Sequence, residues 1–234
     1  MKNTTPESER NPLSSKGETG APPTIYTKAE ITYRLDGDAY TVIKGESRIC
    51  EAHILDAVFG IPVTRIAGYA FYDCKLLTVA TIPDSVTTIE EEAFADCRAL
   101  SSVTIGDGVT RIDKYAFWNC YELTDVRIPH GVESIGGHAF CHCRLLTEVV
   151  IPDSTKSIGN AAFYGCSRLS SVTIGCGVTS IDGLAFFSCK ALGAAYFSVT
   201  EGWKYKDEPA DPAVLADPAT AAEWLRKTSE HSRA

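Results

Sequence analysis

Several features that would indicate a particular function are absent from this 234-residue sequence. It has no run of eighteen apolar residues, which argues against a membrane-spanning helix. Its formal net charge is −8 and no cluster of Lys and Arg stands along the chain, so nucleic acid and anionic membranes are not expected partners. No G-x-S-x-G, glycine-rich phosphate loop or H-E-x-x-H motif appears. These absences predict a protein without catalytic residues, cofactor or membrane insertion.

The N-terminus and the cysteine content bear on the compartment. Residues 1–24 are rich in Ser, Thr, Pro and Gly and lack the apolar core of a secretory signal, which predicts a disordered polar tail. Nine cysteines are an odd number, so an oxidising compartment would leave at least one thiol unpaired. Unpaired thiols and the missing export signal favour the cytosol.

A 23-residue internal repeat dominates the chain. Two columns of six residues keep this spacing without an insertion: Phe71, Phe94, Phe117, Phe140, Phe163 and Phe186, and Cys74, Cys97, Cys120, Cys143, Cys166 and Cys189. Columns of Ile, Ala and Leu keep the same step. A fixed period of this length predicts a solenoid, in which each unit buries its apolar side chains against its neighbours.

Each unit can be interpreted as two short strands and a turn. In "LSSVTI" the side chains of Val103 and Ile105 point inward while Ser102 and Thr104 point outward, as in a half-buried strand. Turn residues follow, and "VTRI" predicts a second strand on the opposite wall. The segment "DKYAFWNC" predicts one helical or 3-10 turn that carries Phe117 into the core.

The columns L-x-x-V-x-I, V-x-x-I, A-F and C-x-x-L resemble leucine-rich repeats of the BspA-like class. The units "LSSVTIGDGVTRIDKYAFWNC" and "LTEVVIPDSTKSIGNAAFYGC" match that class at nearly every defining position, and the resemblance covers residues 63–199. It implies an α/β solenoid: a right-handed coil with a parallel β-sheet on one face, short strands and helical or 3-10 turns on the other, and a C-terminal capping helix. Neighbouring coils would lie ~4.8 Å apart.

Both ends of such a solenoid need caps. We expect residues 25–62 to close the first coil and residues 200–234 to close the last. A capping helix over about residues 218–228 is predicted because Asp217 can accept a hydrogen bond at its N-cap and Pro218 suits its first position.

The stretch "GGHAFCHCRLL" has the composition of a metal site, with His138, Cys141, His142 and Cys143 within six residues. A structural zinc site needs four ligands in a tetrahedral array. Cys143 belongs to the repeated cysteine column and should point inward, whereas His142 should point outward. The columns of Cys141 and His142 vary widely in residue type, which indicates positions on the outer side. We therefore predict no metal site here.

The six repeated cysteines are expected to be reduced and structural. The Cα–Cβ bonds of stacked cysteines run parallel, which leaves the Cβ atoms too far apart for a disulfide. The alternative is that disulfides cross-link adjacent coils. In leucine-rich repeats this position takes a small residue whose polar atom meets loop backbone inside the coil. We expect Cys176 in an exposed turn between two glycines. It is either a reactive thiol or a turn residue that has diverged from the repeat. Cys50 has no assigned role.

Two surfaces are candidates for binding. The first is the outward side of the predicted sheet, whose candidate residues are Thr104, Asp125, Arg127, Glu148, Thr173 and Tyr196. The alternative is an aromatic column on the other side, formed by Tyr72, Trp118, Tyr164 and Phe187. Aromatic side chains can anchor a partner or stack on sugars, but they can equally pack over the core.

We interpret the chain as a non-enzymatic interaction module that binds a protein or glycan ligand, with a monomer as the expected state. A structural spacer without a specific ligand is the alternative. The resemblance implies bacterial surface or secreted proteins that bind host matrix or other cells, whereas the sequence by itself favours the cytosol.

Overall fold

A computed structural model of the chain describes residues 21–205, 208–226 and 231–233. The protein is a β-solenoid of about seven turns with few helices and a C-terminal helix, as the repeat predicts. None of the described helices is long and apolar enough to span a bilayer.

The N-terminal segment contains six strands: β1 (Ile25–Lys28), β2 (Ile31–Asp36), β3 (Ala39–Gly45), β4 (Glu51–His53), β5 (Ala57–Val58) and β6 (Ile61–Ile66). The first three strands pair antiparallel, so β1 and β2 extend the sheet outward. β3 then pairs parallel with β6. This segment supplies a coil of its own ahead of the six repeats.

Each repeat contributes one strand to each of two walls. The first wall contains β7 (Val79–Ile82), β9 (Ser102–Ile105), β11 (Asp125–Val126), β13 (Glu148–Ile151), β15 (Ser171–Ile174) and β17 (Ala194–Phe197), preceded by β4. The second wall begins with β6 and continues with β8 (Thr88–Ile89), β10 (Arg111–Ile112), β12 (Ser134–Ile135), β14 (Ser157–Ile158) and β16 (Ser180–Ile181). Second-wall strands pair parallel with a constant step of 23 residues, so identical repeat positions lie side by side.

The third side of each coil consists of successive β-turns where a helical or 3-10 turn is predicted. Successive backbone N–H groups alternate between two kinds of acceptor. One kind lies three residues earlier and closes a turn, as when the Cys74 N–H donates to the Phe71 carbonyl at 3.1 Å. The other kind lies on the next coil, as when the Phe71 N–H donates to the Ala93 carbonyl at 2.7 Å. Positive φ recurs at the third turn residue, as at Tyr69 (62°) and Asp73 (59°), which a regular helix does not allow. We call this side the turn wall.

The core between the three walls is continuous along the coil axis. Its centre is the column of six phenylalanines, whose ring centroids lie 4.8 to 5.3 Å apart with interplanar angles of 6° or less. All six rings are fully buried. Because strands in a sheet are separated by a similar distance, ring stacking and backbone pairing are satisfied at one coil spacing.

The C-terminal cap contains β18 (Trp203–Tyr205), β19 (Glu208–Pro209), α1 (Pro212–Ala216), α2 (Pro218–Leu225) and β20 (His231–Arg233). Both helices pack against β17, and β20 pairs with β16. Asp217 caps α2 by accepting the Thr220 N–H at 2.9 Å. The predicted helix is present and ends at Leu225, while residues 227 and 228 lie outside the described residues. Most of the predicted tail, residues 1–20, also lies outside them.

Replacing Phe117 with Ala should lower the free energy of unfolding by ~3 to 5 kcal/mol, because it leaves a ring-sized cavity inside the phenylalanine column. Phe59 is the matched control, since its ring is 66% exposed. Urea unfolding of Phe59→Ala should show a loss of less than ~1 kcal/mol. Equal losses at the two positions would contradict the packing described above.

Candidate functional site

The first wall is split at one place. Its strands form two separate sheets, one with the order β11-β9-β7-β4 and one with the order β13-β15-β17, so β11 and β13 are neighbours that do not pair. The second wall and the turn wall are continuous at the same level: β12 pairs with β14, and the Phe117 N–H donates to the Ala139 carbonyl at 2.8 Å. The coils therefore separate on the first wall alone.

The hydrogen bonds next to the first wall confirm the split. At four steps along the solenoid a backbone N–H donates to the residue 23 positions earlier: Ser101 to Thr78, Thr124 to Ser101, Ser170 to Thr147 and Gly193 to Ser170, at 2.8 to 3.3 Å. Among the described residues, no such bond joins Thr147 to Thr124. Ser171 and Thr173 are the equivalents of Glu148 and Val150 on β15, and the strand before them, β13, is paired with β15. Because β11 does not pair with β13, the N–H groups of Glu148 and Val150 lack the corresponding backbone partners.

Two features of the sequence act against pairing here. Outward residues of adjacent parallel strands lie side by side, so closure would bring the carboxylates of Asp125 and Glu148 together, and like charges at such positions oppose pairing. Pro152 has no N–H, whereas its counterpart Gly175 donates to the Ile151 carbonyl at 3.0 Å. Charge repulsion and a lost hydrogen bond thus act on the same pair of strands.

The opening forms a cleft of about 280 Å³, which we call the sheet cleft. It is lined by Asp125, Val126, Arg127, Ile128, His130, Glu148, Val149 and Val150. Arg127 donates to the Asp107 carboxylate at 2.8 Å. Asp125 and Glu148 are exposed, and within the described part of the chain neither carboxylate has an ion-pair or hydrogen-bond partner. The cleft therefore combines unpaired backbone groups with an excess of negative charge.

Of the six sheet residues predicted from the sequence, Asp125, Arg127 and Glu148 come together at the sheet cleft. Thr104 lines a neighbouring depression next to Arg127. Thr173 and Tyr196 are paired neighbours on β15 and β17, away from the cleft. Sequence reasoning missed His130 and the split itself.

The aromatic column does not form one continuous surface. Tyr164 and Phe187 contact each other with ring centroids 5.8 Å apart, but Tyr72 and Trp118 pack on the tyrosine three residues before each of them. Ala95 and Cys141 occupy the intervening positions and are buried. Tyr72 is exposed and the other three rings are half-buried.

The His- and Cys-rich stretch is distributed over different environments. His138 stacks on Tyr115 with centroids 4.7 Å apart, and His142 meets Tyr164 edge-on at 5.4 Å. The expectation of a surface or half-buried position for Cys141 is wrong, because the residue is only 3% exposed. It lies in a turn whose neighbouring coils cover it. Within the described ranges, no three His, Cys, Asp or Glu side chains meet as metal ligands.

The six repeated cysteines are buried beside the phenylalanines. In the last five, from Cys97 to Cys189, each Sγ lies 3.1 to 3.4 Å from the carbonyl oxygen of the phenylalanine 26 residues earlier. Each thiol can therefore donate to a carbonyl that already accepts a turn N–H. We propose that these thiols link adjacent coils by weak hydrogen bonds. Cys50 and Cys176 are exposed.

Burial also changes the acidity of the thiols. Desolvation raises the pKa of Cys74 and of Cys141 to about 11. It raises the pKa of four further thiols well above the ordinary value: Cys97, Cys120, Cys143 and Cys166. Desolvation is also the main cause that lowers the pKa of His138 and His142.

The fold and the repeat together define a leucine-rich-repeat solenoid. Residues 64–193 match the BspA type leucine rich repeat region in six copies, and the chain belongs to that family. The resemblance seen in the sequence is thereby confirmed. Among curated proteins, none matches the chain with significance.

Three solved bacterial structures are similar to the chain. The T. pallidum leucine rich repeat protein TpLRR is 29% identical over 74% of this chain and 82% of its own, with a TM-score of 0.68. A leucine-rich repeat protein from Bacteroides ovatus is 28% identical over 73% and 46%, with a TM-score of 0.64. A leucine rich cell surface protein from Faecalibacterium prausnitzii is 29% identical over 80% and 57%, with a TM-score of 0.60. The chain thus spans less than two thirds of the latter two.

The buried thiols should make the solenoid sensitive to alkali. An unfolded chain releases thiol protons near pH 8.5, whereas burial raises the pKa of Cys74 and Cys141 to about 11 in the folded chain and that of Cys97, Cys120, Cys143 and Cys166 well above the ordinary value. The folded state then binds more protons, so stability is fully present below pH ~8.5 and falls by up to ~1.4 kcal/mol per pH unit for each thiol as the pH rises.

Urea midpoints measured between pH 7.5 and pH 10.5 test this expectation. The midpoint should fall steeply in the native chain and less steeply in Cys120→Ala/Cys143→Ala, which removes two of the six raised thiols. An equal pH dependence in both proteins would show that the thiols do not cause the loss.

Proposed function

We propose that this protein is a non-enzymatic interaction module that binds a protein partner through the outward side of its first wall, centred on the sheet cleft. The observation that carries the proposal is the unpaired edge between β11 and β13. Exposed N–H and C=O groups of a sheet are a template for further hydrogen bonding, and among the described strands of the first wall they lie between β11 and β13.

The charge of the cleft favours a basic anchor residue on the partner. Asp125 and Glu148 stand on opposite sides of the opening without an ion partner among the described residues, and Arg127 is already paired with Asp107. A Lys or Arg side chain inserted between the carboxylates would pair with them and donate to the unpaired carbonyls of β11. Arginine is enriched at the centres of protein interfaces for this reason.

Binding fits this site better than catalysis. Asp125 and Glu148 are both exposed to water, so neither lies in the enclosed, dry environment in which a catalytic acid and base usually act. The BspA-type family is in general a non-enzymatic repeat scaffold, and its members typically act as interaction or surface modules. The likeness to a leucine rich cell surface protein of F. prausnitzii supports a surface or secreted setting.

The sheet cleft is best tested by reversing its charge. Immobilised protein should capture a partner from solubilised surface and secreted proteins, and calorimetry with the purified partner should give saturable binding. Asp125→Lys/Glu148→Lys should weaken that binding at least about tenfold, since two charge-assisted contacts are lost. Glu91→Lys/Glu133→Lys is the matched control, because it makes the same charge change at exposed positions away from the first wall.

The outcomes separate the two functional classes. Loss in the cleft variant with binding retained in the control would support the interaction module. Equal binding by all three proteins would place the partner on another surface. A native chain without any saturable partner would favour the structural spacer.

A further inference from the structure

A row of basic side chains runs along the border between the turn wall and the first wall. We call Arg98, Arg144, Arg168 and Lys190 the basic strip. These residues are 22 to 46 positions apart in the sequence, where no basic cluster is visible. The coil brings Arg144, Arg168 and Lys190 to three successive levels ~4.8 Å apart, and Arg98 lies two levels before Arg144. The Arg168 N–H donates to the Arg144 carbonyl at 3.2 Å, which places those two residues on adjacent coils.

Tyr121 organises one end of the strip. Its ring lies between two guanidinium groups, with the Arg98 and Arg144 carbon centres 5.6 and 4.3 Å from the ring centroid. Arg98 is paired with the Asp96 carboxylate at 3.0 Å. The ring contact fixes the Arg144 guanidinium by a cation–π interaction while its N–H donors remain exposed.

The other end of the strip carries uncompensated positive charge. Arg144, Arg168 and Lys190 are exposed, and none of them has an ion partner among the residues that the structure describes. Three cations on three successive levels span ~10 Å. The strip is therefore positively charged, although the chain as a whole has a formal net charge of −8.

The neighbours of the strip indicate the shape and chemistry of a ligand. On the turn-wall side lie the half-buried rings of His142 and Tyr164, which meet edge-on at 5.4 Å. Toward the first wall the chain continues from the strip into exposed polar residues, such as Ser170 two residues after Arg168 and Glu148 four residues after Arg144. A ligand must therefore be narrow and anionic, and can contact rings and hydroxyls at its sides.

We propose that the basic strip binds a linear acidic polysaccharide, one whose sugars carry sulfate or carboxylate groups. Arg144, Arg168 and Lys190 would bind these groups, and Tyr164 would contact the sugar rings. Nucleic acid is less suitable, because its binding domains are typically basic overall, whereas this chain has an isoelectric point of about 5.2. The strip lies outside the sheet cleft and does not depend on the function proposed for it.

Heparin provides a direct probe, with dextran as the neutral polymer and a single-stranded oligothymidylate as the competing class. Binding of heparin should weaken at least about tenfold in Arg144→Gln/Arg168→Gln. Arg111→Gln/Lys156→Gln is the matched control, since it removes the same charge at exposed positions on the second-wall side and should change the affinity less than about twofold.

His142 supplies a second signal that does not depend on affinity. After desolvation, the charge of Arg144 is the other cause that lowers the pKa of His142. Bound sulfate groups would compensate that charge, so heparin should raise the pKa of His142 measured by NMR. The rise should be absent in Arg144→Gln/Arg168→Gln.

Three results would overturn the proposal. They are no binding of heparin to the native chain, equal loss of affinity in the control variant, and tighter binding of the oligothymidylate with the same dependence on Arg144 and Arg168. The last result would make the strip a nucleic-acid site. Heparin binding that is lost only in the strip variant, together with the shift at His142, would support it.

Discussion

The stacking of identical side chains along the coil axis determines the rest of this structure. Each phenylalanine ring lies about one strand spacing from the next, and the same spacing lets the backbone of each coil pair with its neighbours. One unit could not bury its core alone, so stability comes from the interfaces between units. The Sγ of Cys120 lies 3.3 Å from the Phe94 carbonyl, which shows how polar groups inside the coil also contact the neighbouring level.

Backbone pairing between coils is disrupted where equivalent positions hold incompatible residues. A period of 23 residues places Asp125 beside Glu148 on the first wall, and Pro152 removes a donor nearby. The core, the second wall and the turn wall remain continuous there, so the coils open on one side only. A local conflict within an otherwise consistent fold is where functional sites are expected. The basic strip arises from the same register, since it collects cations that the sequence keeps far apart.

The sequence predicted what depends on period and polarity. The spacing of Phe117 and its equivalents indicated the solenoid, and the pattern at Asp217 and Pro218 indicated the final helix. The β-turns of the turn wall were missed, although one column signals them: Asp73, Asp96, Asn119, His142, Gly165 and Ser188 all have positive φ, and most are residue types that tolerate it. His142 therefore has a conformational reason to stand in a turn.

Other features depend on contacts between coils that no local pattern reveals. Cys141 is buried because neighbouring coils cover its turn, and the split requires knowing which strands fail to pair. The short helix α1 follows Asp211, whose carboxylate accepts the Ala213 N–H at 2.9 Å, but five residues are too few for a clear periodic signal.

The most direct measurement is the exchange of individual amide protons by NMR. Ser171 and Thr173 on β15 occupy the positions of Glu148 and Val150 on β13, so the four amides form two pairs of equivalent positions, and only those on β15 have a paired strand before them. Exchange is compared after division by the intrinsic rate of each residue type. We expect exchange at least about a hundredfold faster at Glu148 and Val150 than at Ser171 and Thr173. Equal protection at the four sites would mean that β11 and β13 pair in solution, and the sheet cleft would not exist.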